Sequence, residues 1–401
     1  MVEDCATVLS KIIDPKDEVI LSYLPFSHIF GKLESFLVYP FGWKQGFGES
    51  VDVLMANMKE IQPTVIFAVP RVFEKAYDRI LNSVETGPRI QKEIFYHALV
   101  IAKRYHAAVW EGKGPSLLDS LQYQVAKATL FRKVLQVFGG RLKFVVCGGA
   151  PLPKCVGQFF QYLGLQILEG YGLTETSAPV CVNTPEKIRF GSVGRPLPEV
   201  TLKLAEDGEI LIKSRKVFQG YYKMPALSRE ALKEGWLYTG DIGRIDSDGF
   251  LWITDRKKDL IITSGGKNIA PQKIENLART QKFIHQFVVC GDRRSYLTAL
   301  VTLDQDQVIQ FANEQAILFS DYSELIKHPR IISLAQKSIN AVNKQLSSFE
   351  TIKKFLILPT DFTVQNGELT PSLKVKRNVI SKRYESELDS LYLDNGPRAF
   401  A

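Results

Sequence analysis

Apolar and polar positions change period several times along the chain. Glu18-Val-Ile-Leu-Ser-Tyr-Leu24 is an apolar run of strand length closed by Pro25. Pro63-Thr-Val-Ile-Phe-Ala-Val69 reads as a buried strand ending at Pro70. Leu142-Lys-Phe-Val-Val-Cys147 is a third strand and runs into Gly148-Gly149-Ala150-Pro151. Gln166-Ile-Leu-Glu-Gly-Tyr-Gly-Leu-Thr-Glu-Thr176 reads as a strand entering a glycine-punctuated turn. Val51 to Ile61 has helical spacing. A helical region runs from Pro70 to about Gly139, broken near Gly87-Pro88 and from Gly112 to Pro115.

From Arg189 to Leu251 the period shortens. Val200–Leu204 and Glu209–Lys213 alternate like strands around the turn Glu206-Asp-Gly-Glu209, which predicts a small β-rich subdomain. Trp252 to Pro271 reads as strand, charged break, strand, glycine turn and helix start. The remainder predicts a compact α/β module. It has a helix over 271–280, strands near 287–289 and 298–303, and helices around 304–316 and 330–347. The expected fold class is α/β: a large domain of sheets with flanking helices and a β-rich subdomain, then a smaller C-terminal α/β domain.

Composition narrows this little. At 401 residues, 45% apolar and 23% charged, the chain has room for two or three domains with a large core. No apolar run approaches the length of a membrane span, and the first residues lack the apolar segment of a signal peptide. Cys5, Cys147, Cys155, Cys181 and Cys290 show no close-pair spacing. That argues against disulfides or zinc and for a reducing, cytoplasmic location. The net charge of +8 fits a solvated surface with a basic bias, or one drawn to anions. The helical region carries much of the excess, including Arg89, Lys92, Lys103, Arg104, Lys127, Arg132 and Lys133. It reads either as a solvated helix face or as a peripheral contact with an anionic membrane at the cytosolic side. No nucleic-acid partner is expected.

The glycine-bearing stretches carry the chemistry. Around Gly170 and Gly172, Tyr171 offers an aromatic face, Thr174 a hydroxyl suited to phosphate, and Glu175 a carboxylate suited to Mg²⁺. The backbone at Gly148-Gly149-Ala150 can approach a planar base, since little side chain intervenes. Both stretches would open at the carboxyl edge of an α/β sheet, where ligands bind. In Tyr238-Thr-Gly-Asp-Ile-Gly243, Asp241 can accept two hydrogen bonds from a ribose diol. In Asp255-Arg-Lys-Lys258, Arg256 can donate a fork of hydrogen bonds to ribose or phosphate. Ser264-Gly-Gly-Lys267 is not a phosphate-binding Walker loop, because the required spacing before the Lys is absent.

These stretches together resemble the adenylate-forming, AMP-binding superfamily. The Pro70-Arg-Val-Phe-Glu-Lys75 run and the helices after it are similar to its long-chain fatty acyl-CoA synthetase branch. The resemblance implies a ligase that uses ATP, Mg²⁺ and CoA to convert a fatty acid to acyl-AMP and then to acyl-CoA. It implies that Gly148, Gly149, Ala150, Glu169, Gly170, Tyr171 and Gly172 border the nucleotide, and that Asp241 and Arg256 hold the ribose. Thr174 would meet a phosphate and Glu175 the metal. His28, in Leu24-Pro-Phe-Ser-His28, would face the acyl and adenylate pocket. Lys257 and Lys258 would form the hinge, and Gly265-Gly266 would line the CoA tunnel. Lys374, in Thr370-Pro-Ser-Leu-Lys-Val-Lys-Arg377, matches the superfamily's catalytic lysine, with Leu373 where a glycine is usual. The implied domains are a partial AMP-binding domain over 1–255, with its β-rich part at about 189–254, and a mobile domain over 256–401.

One family feature is not among these residues. The Ser/Thr/Gly-rich phosphate loop that the family carries upstream of Leu-Pro-x-x-His has no counterpart before Val19. The expectation is therefore a truncated or split enzyme, with a complementing N-terminal fragment, or a degenerate one. Two other readings stand beside the ligase. One is a non-catalytic AMP- or acyl-adenylate-binding fragment. The other is an adenylating enzyme for another carboxylic acid, passing it to a carrier-protein thiol.

Overall fold

The computed structural model describes residues 2–10, 18–50, 53–370, 374–393 and 398–399. Its contacts divide the chain into two compact units. One holds Met1–Thr239 with Arg244–Ile253, the other Gly240–Gly243 with Thr254–Ala401.

The first unit opens with α1 (Val2–Leu9), β1 (Val19–Ser22), α2 (Ile29–Phe41), β2 (Lys44–Phe47), α3 (Leu54–Ile61), β3 (Val65–Ala68) and α4 (Pro70–Glu85). It continues with α5 (Arg89–Trp110), α6 (Leu117–Ala126), a π-turn over Lys127–Phe131, and α7 (Arg132–Leu135). Then come β4 (Phe144–Cys147), α8 (Lys154–Tyr162), β5 (Gln166–Leu173), β6 (Ala178–Val182) and β7 (Arg195–Pro196). The seven strands form one sheet in the order β2-β1-β3-β4-β5-β6-β7. Pairing is parallel from β2 through β5 and antiparallel from β5 to β7.

The apolar runs are continuous because both faces of this sheet are covered. Ile66, Ala68, Val145, Cys147 and Ile167 point to the side packed with Phe73, Phe138 and Phe160. Their neighbours Val65, Phe67, Phe144 and Leu168 point to the other side, against Leu33 and Leu37 of α2 and Cys5 and Leu9 of α1.

Sequence and structure differ at Gly170-Tyr-Gly172. The expected turn is strand: β5 runs through both glycines, with a register shift between Tyr171 and Gly172. The reason is a close approach. A Cβ on Gly170 would stand 3.2 Å from the Cys181 carbonyl oxygen of β6. The chain turns only at Thr174–Thr176, where the Thr176 hydroxyl accepts the Leu173 N–H at 2.9 Å.

The β-rich part comprises β8 (Thr201–Leu204), β9 (Glu209–Lys213), the short α9 (Pro225–Ala231), β10 (Leu232–Lys233), β11 (Trp236–Ile245) and β12 (Leu251–Arg256). Strand order is β10-β11-β9-β8, and β12 joins β11. Ile210, Ile212, Leu237 and Leu251 bury its inner face together with Tyr171 and Cys181.

The second unit adds the hairpin β13 (Ile261–Ile262) and β14 (Asn268–Ile269), then α10 (Pro271–Arg279), β15 (Ile284–Cys290), β16 (Leu297–Leu303), α11 (Gln305–Glu314), α12 (Tyr322–Leu325) and α13 (Pro329–Asn343). β17 (Ile352–Ile357), α14 (Arg377–Arg383), α15 (Glu385–Leu393) and β18 (Arg398–Ala399) complete it. The sheet order is β15-β16-β17-β18. Phe287, Val289, Ala299, Val301 and Phe355 face α10, α11 and α13. Val288, Leu300 and Leu356 face Ile380 of α14, Tyr384 just after it and Leu388 of α15. Leu373 lies outside the described residues.

One polar group in the first core stands out. Glu34 of α2 is fully buried, and neither carboxylate oxygen has a hydrogen-bond partner. Burial pushes its carboxyl up to about 8, opposed only by the nearby Ser22 hydroxyl. The folded chain therefore holds a proton there that the unfolded chain releases above the ordinary glutamate range. Stability from this site is lost as pH rises from about 4.5 toward 8. Glu34→Gln is expected to melt near the parent at pH 5 and progressively above it toward pH 8. A gap that stays constant across that window would contradict this assignment.

Candidate functional site

Strands β3, β4 and β5 run parallel and end side by side. The chain leaving β4 turns through Gly149, which has φ +85°, a left-handed conformation that suits glycine. At this carboxyl edge lies a narrow apolar cleft of about 80 Å³. Among its lining residues are His28, Gly148, Gly149, Gly170, Tyr171 and Gly172. Six residues singled out from three separate stretches thus meet at one place. Cys5 and Leu9 of α1 line it as well. A small-molecule site has roughly 300–1,000 Å³, so this cleft must widen to admit a ligand. Ala150 is exposed and lies just beyond the lining.

His28 is exposed and sits at the N-terminus of α2, where its Nδ1 accepts the Phe30 N–H at 3.2 Å. The ring caps the helix and also borders the cleft. Tyr171 is 8% exposed, so most of its ring is already covered. Glu169 points away from solvent. It accepts N–H groups from Gly191 at 3.2 Å and Leu152 at 3.4 Å, and burial pushes its carboxyl up to about 7. In this structure it ties the loops around β5 together.

Beyond β5, the Thr174 side chain is exposed and free of hydrogen bonds among the described residues. Glu175 accepts a hydrogen bond from the Tyr221 hydroxyl at 2.9 Å. Tyr221 was not legible as a site residue, because 46 residues separate the pair. Among the described residues no three His, Cys, Asp or Glu side chains converge to hold a metal. A Mg²⁺ ion at Glu175 would complete its oxygen shell from phosphate and water, as this ion commonly does.

In the second unit, Asp241 and Arg256 form an ion pair at 3.0 Å, with Asp241 3% exposed and Arg256 48%. Lys374 shares their field. Burial lowers its pKa most, Arg256 lowers it further, and Asp241 opposes both. Asp241, Arg256 and Lys374 therefore form one cluster, although Lys374 is more than a hundred residues from the other two. Asp255, which the sequence did not single out, is buried beside it and accepts the Arg256 N–H at 2.6 Å. Burial pushes its carboxyl up to about 7. Arg377 is fixed elsewhere, on Glu275 at 2.8 Å and on the Val289 carbonyl at 2.6 Å. Lys257 and Lys258 are exposed after β12. Gly265 and Gly266 are exposed at the β13–β14 turn, where Gly266 has φ +71°.

The sequence profile of the AMP-binding enzyme family matches residues 1–222. The chain belongs to the AMP-binding enzyme family. The profile of the AMP-binding enzyme C-terminal domain matches residues 258–396 of this AMP-binding chain. Its relatives include the long-chain-fatty-acid–CoA ligase FadD15 of Mycobacterium bovis, 36% identical over 94% of this chain and 62% of that one. Long-chain-fatty-acid–CoA ligase 5 of Mus musculus is 33% identical over 96% of this chain and 57% of that one. The chain thus spans about three fifths of the length of these relatives. Among solved structures it resembles the adenylation domain of the carboxylate reductase of Mycobacterium chelonae. The TM-score is 0.73 at 25% identity, over 94% of this chain and 54% of that one. It also shares the fold of o-succinylbenzoate CoA synthetase from Bacillus subtilis, solved with an acyl-adenylate. There the TM-score is 0.63 at 20% identity, over 94% and 63% of the two chains.

Proposed function

We propose that this AMP-binding chain is the greater part of an AMP-forming acid–thiol ligase. Its reaction would be ATP-dependent activation of a long-chain fatty acid to acyl-AMP, followed by transfer to CoA. The observation that carries the reading is the meeting of His28, Gly148, Gly149, Gly170, Tyr171 and Gly172 at one apolar cleft on a sheet's carboxyl edge. The names of the relatives add the substrate class.

In this reading the glycines let backbone lie against the base, and Tyr171 bounds it. Asp241 and Arg256 take the ribose, exchanging their mutual ion pair for contacts with its hydroxyls. In the first step a carboxylate oxygen attacks the α-phosphorus and pyrophosphate leaves. Two anions must approach, so catalysis rests on positioning and on cancelling charge. The free Thr174 hydroxyl would donate to a phosphate oxygen. Glu175 would exchange Tyr221 for Mg²⁺, which supplies further charge neutralisation when bound. Lys374 would stand between carboxylate and α-phosphate. In the second step the CoA sulfur attacks the acyl carbon and AMP leaves. Lys257-Lys258 would act as a hinge between domains over 1–255 and 256–401, bringing Gly265-Gly266 to the pantetheine. A cytoplasmic location and a complementing N-terminal segment with the phosphate loop belong to the same reading. No described helix is long and apolar enough to cross a membrane.

The test is pyrophosphate release from ATP and Mg²⁺ that requires palmitate, followed by palmitoyl-CoA on adding CoA. The assay is run with the chain alone and with such a segment added. Release in either arm supports the reading. A second reading, an AMP-binding protein without catalysis, is favoured by the Tyr221 bond that occupies Glu175. It predicts saturable AMP binding with no pyrophosphate or thioester in either arm.

A further inference from the structure

One short helix carries four exposed apolar side chains along its length. Leu117, Leu118, Leu121 and Val125 of α6 are 92%, 64%, 65% and 56% exposed. Their spacing places them on one face, while Tyr123 turns inward to stack on Tyr105. Single exposed leucines are ordinary, but a whole apolar helix face is not.

The same rows continue through Gln124 and Ala128 into the π-turn, and there the chemistry changes. Gln124, Lys127, Ala128 and Arg132 line an open pocket of about 450 Å³. Leu142 and Leu165, just ahead of β4 and β5, lie on its other side. The pocket is therefore at the amino edge of the sheet, opposite the cleft described above. Short π-turns within helices recur at functional sites.

Charge decides what fits. Between residues 103 and 141 there are seven Lys and Arg but only two acids. Both acids are already paired, Glu111 with Lys113 and Asp119 with Arg104. Lys103, Lys127, Arg132, Lys133 and Arg141 have no ion pair among the described residues. A second copy of the chain would bring the same unpaired cations to the contact and be repelled. An anionic surface with an apolar interior matches both halves of the patch.

We propose that this segment docks on an anionic lipid bilayer. Leu117, Leu118, Leu121 and Val125 enter the acyl layer, and a lipid phosphate headgroup enters the pocket between Lys127 and Arg132. The inference is independent of the ligase reading, since it uses none of the residues assigned to the nucleotide.

The test is co-sedimentation of the full chain with phosphatidylcholine vesicles, with and without phosphatidylglycerol, at low and high salt. Binding is expected only with phosphatidylglycerol, and it weakens at high salt. Leu117→Ser with Leu121→Ser, and separately Lys127→Gln with Arg132→Gln, should each weaken it about tenfold or more. All four positions are exposed, so melting temperatures should not move. Equal binding to both vesicle types, or parental binding by both double variants, overturns the proposal. So does a dimer by light scattering that the leucine variant dissolves while vesicles are not bound.

Discussion

Lys374→Ala is expected to cut palmitate-dependent pyrophosphate release roughly 10²–10³-fold, the range for removing one preorganised charge stabiliser. The ammonium sits with Arg256 and Asp241 in a partly desolvated cluster. A charge there acts on phosphate oxygens with less screening than in water. The loss should fall on turnover, because the cation is proposed to matter as charge builds at phosphorus and not for holding AMP. AMP affinity should therefore change little. Transfer from supplied palmitoyl-AMP to CoA should survive, since that step breaks the bond between the acyl carbon and the phosphate oxygen, with AMP leaving, and builds no charge at phosphorus. Lys374→Arg should recover only part of the rate, because a planar fork replaces a point charge. A loss smaller than tenfold in the assay that shows parental activity would remove Lys374 from the chemistry.

The second large effect is on stability. Arg377→Met is expected to cost about 3–5 kcal/mol in denaturant unfolding, the range for breaking one side of a buried ion pair. Arg377 and Glu275 are 14% and 2% exposed and meet at 2.8 Å. The variant would leave Glu275 charged and buried, and would strip a donor from the Val289 carbonyl. Adding Glu275→Gln should restore most of the loss. The amide removes the stranded charge yet still accepts the Val289 N–H that Glu275 accepts at 2.9 Å. Arg377 lies three residues after Lys374, so the single variant should also lose activity below its melting point as that segment loosens. A double variant no more stable than the single would mean the pair is not the source of the loss.

What the sequence made legible follows from burial. β1, β3, β4 and β5 are covered on both faces, so each stands out as an apolar run. β2, Lys44-Gln-Gly-Phe47, is a partly exposed edge strand whose composition carries no such mark. β17 escaped because Lys353 and Lys354 interrupt its apolar run, while its C-terminal half is buried. α2 escaped because Gly31 and Pro40 lie inside it. The candidate residues that the structure gathers at the cleft came, His28 apart, from short glycine-rich stretches. The ones missed act across distance: Tyr221 reaches Glu175 from another element, and Asp255 owes its significance to being buried. The unpartnered Glu34 has no local signature at all. Near β4 the structure places Gly148 and Gly149 in the lining of the cleft. At Gly170 the approach is to a neighbouring strand, and no turn is needed.

In the proposed function the cleft at the ends of β4 and β5 receives an adenylate. A crystal structure of the full chain with AMP tests it directly. The base is expected against Gly148-Gly149 and the edge of Tyr171, with the cleft wider than its present volume of about 80 Å³. AMP bound at another surface, with this cleft unchanged, would contradict it.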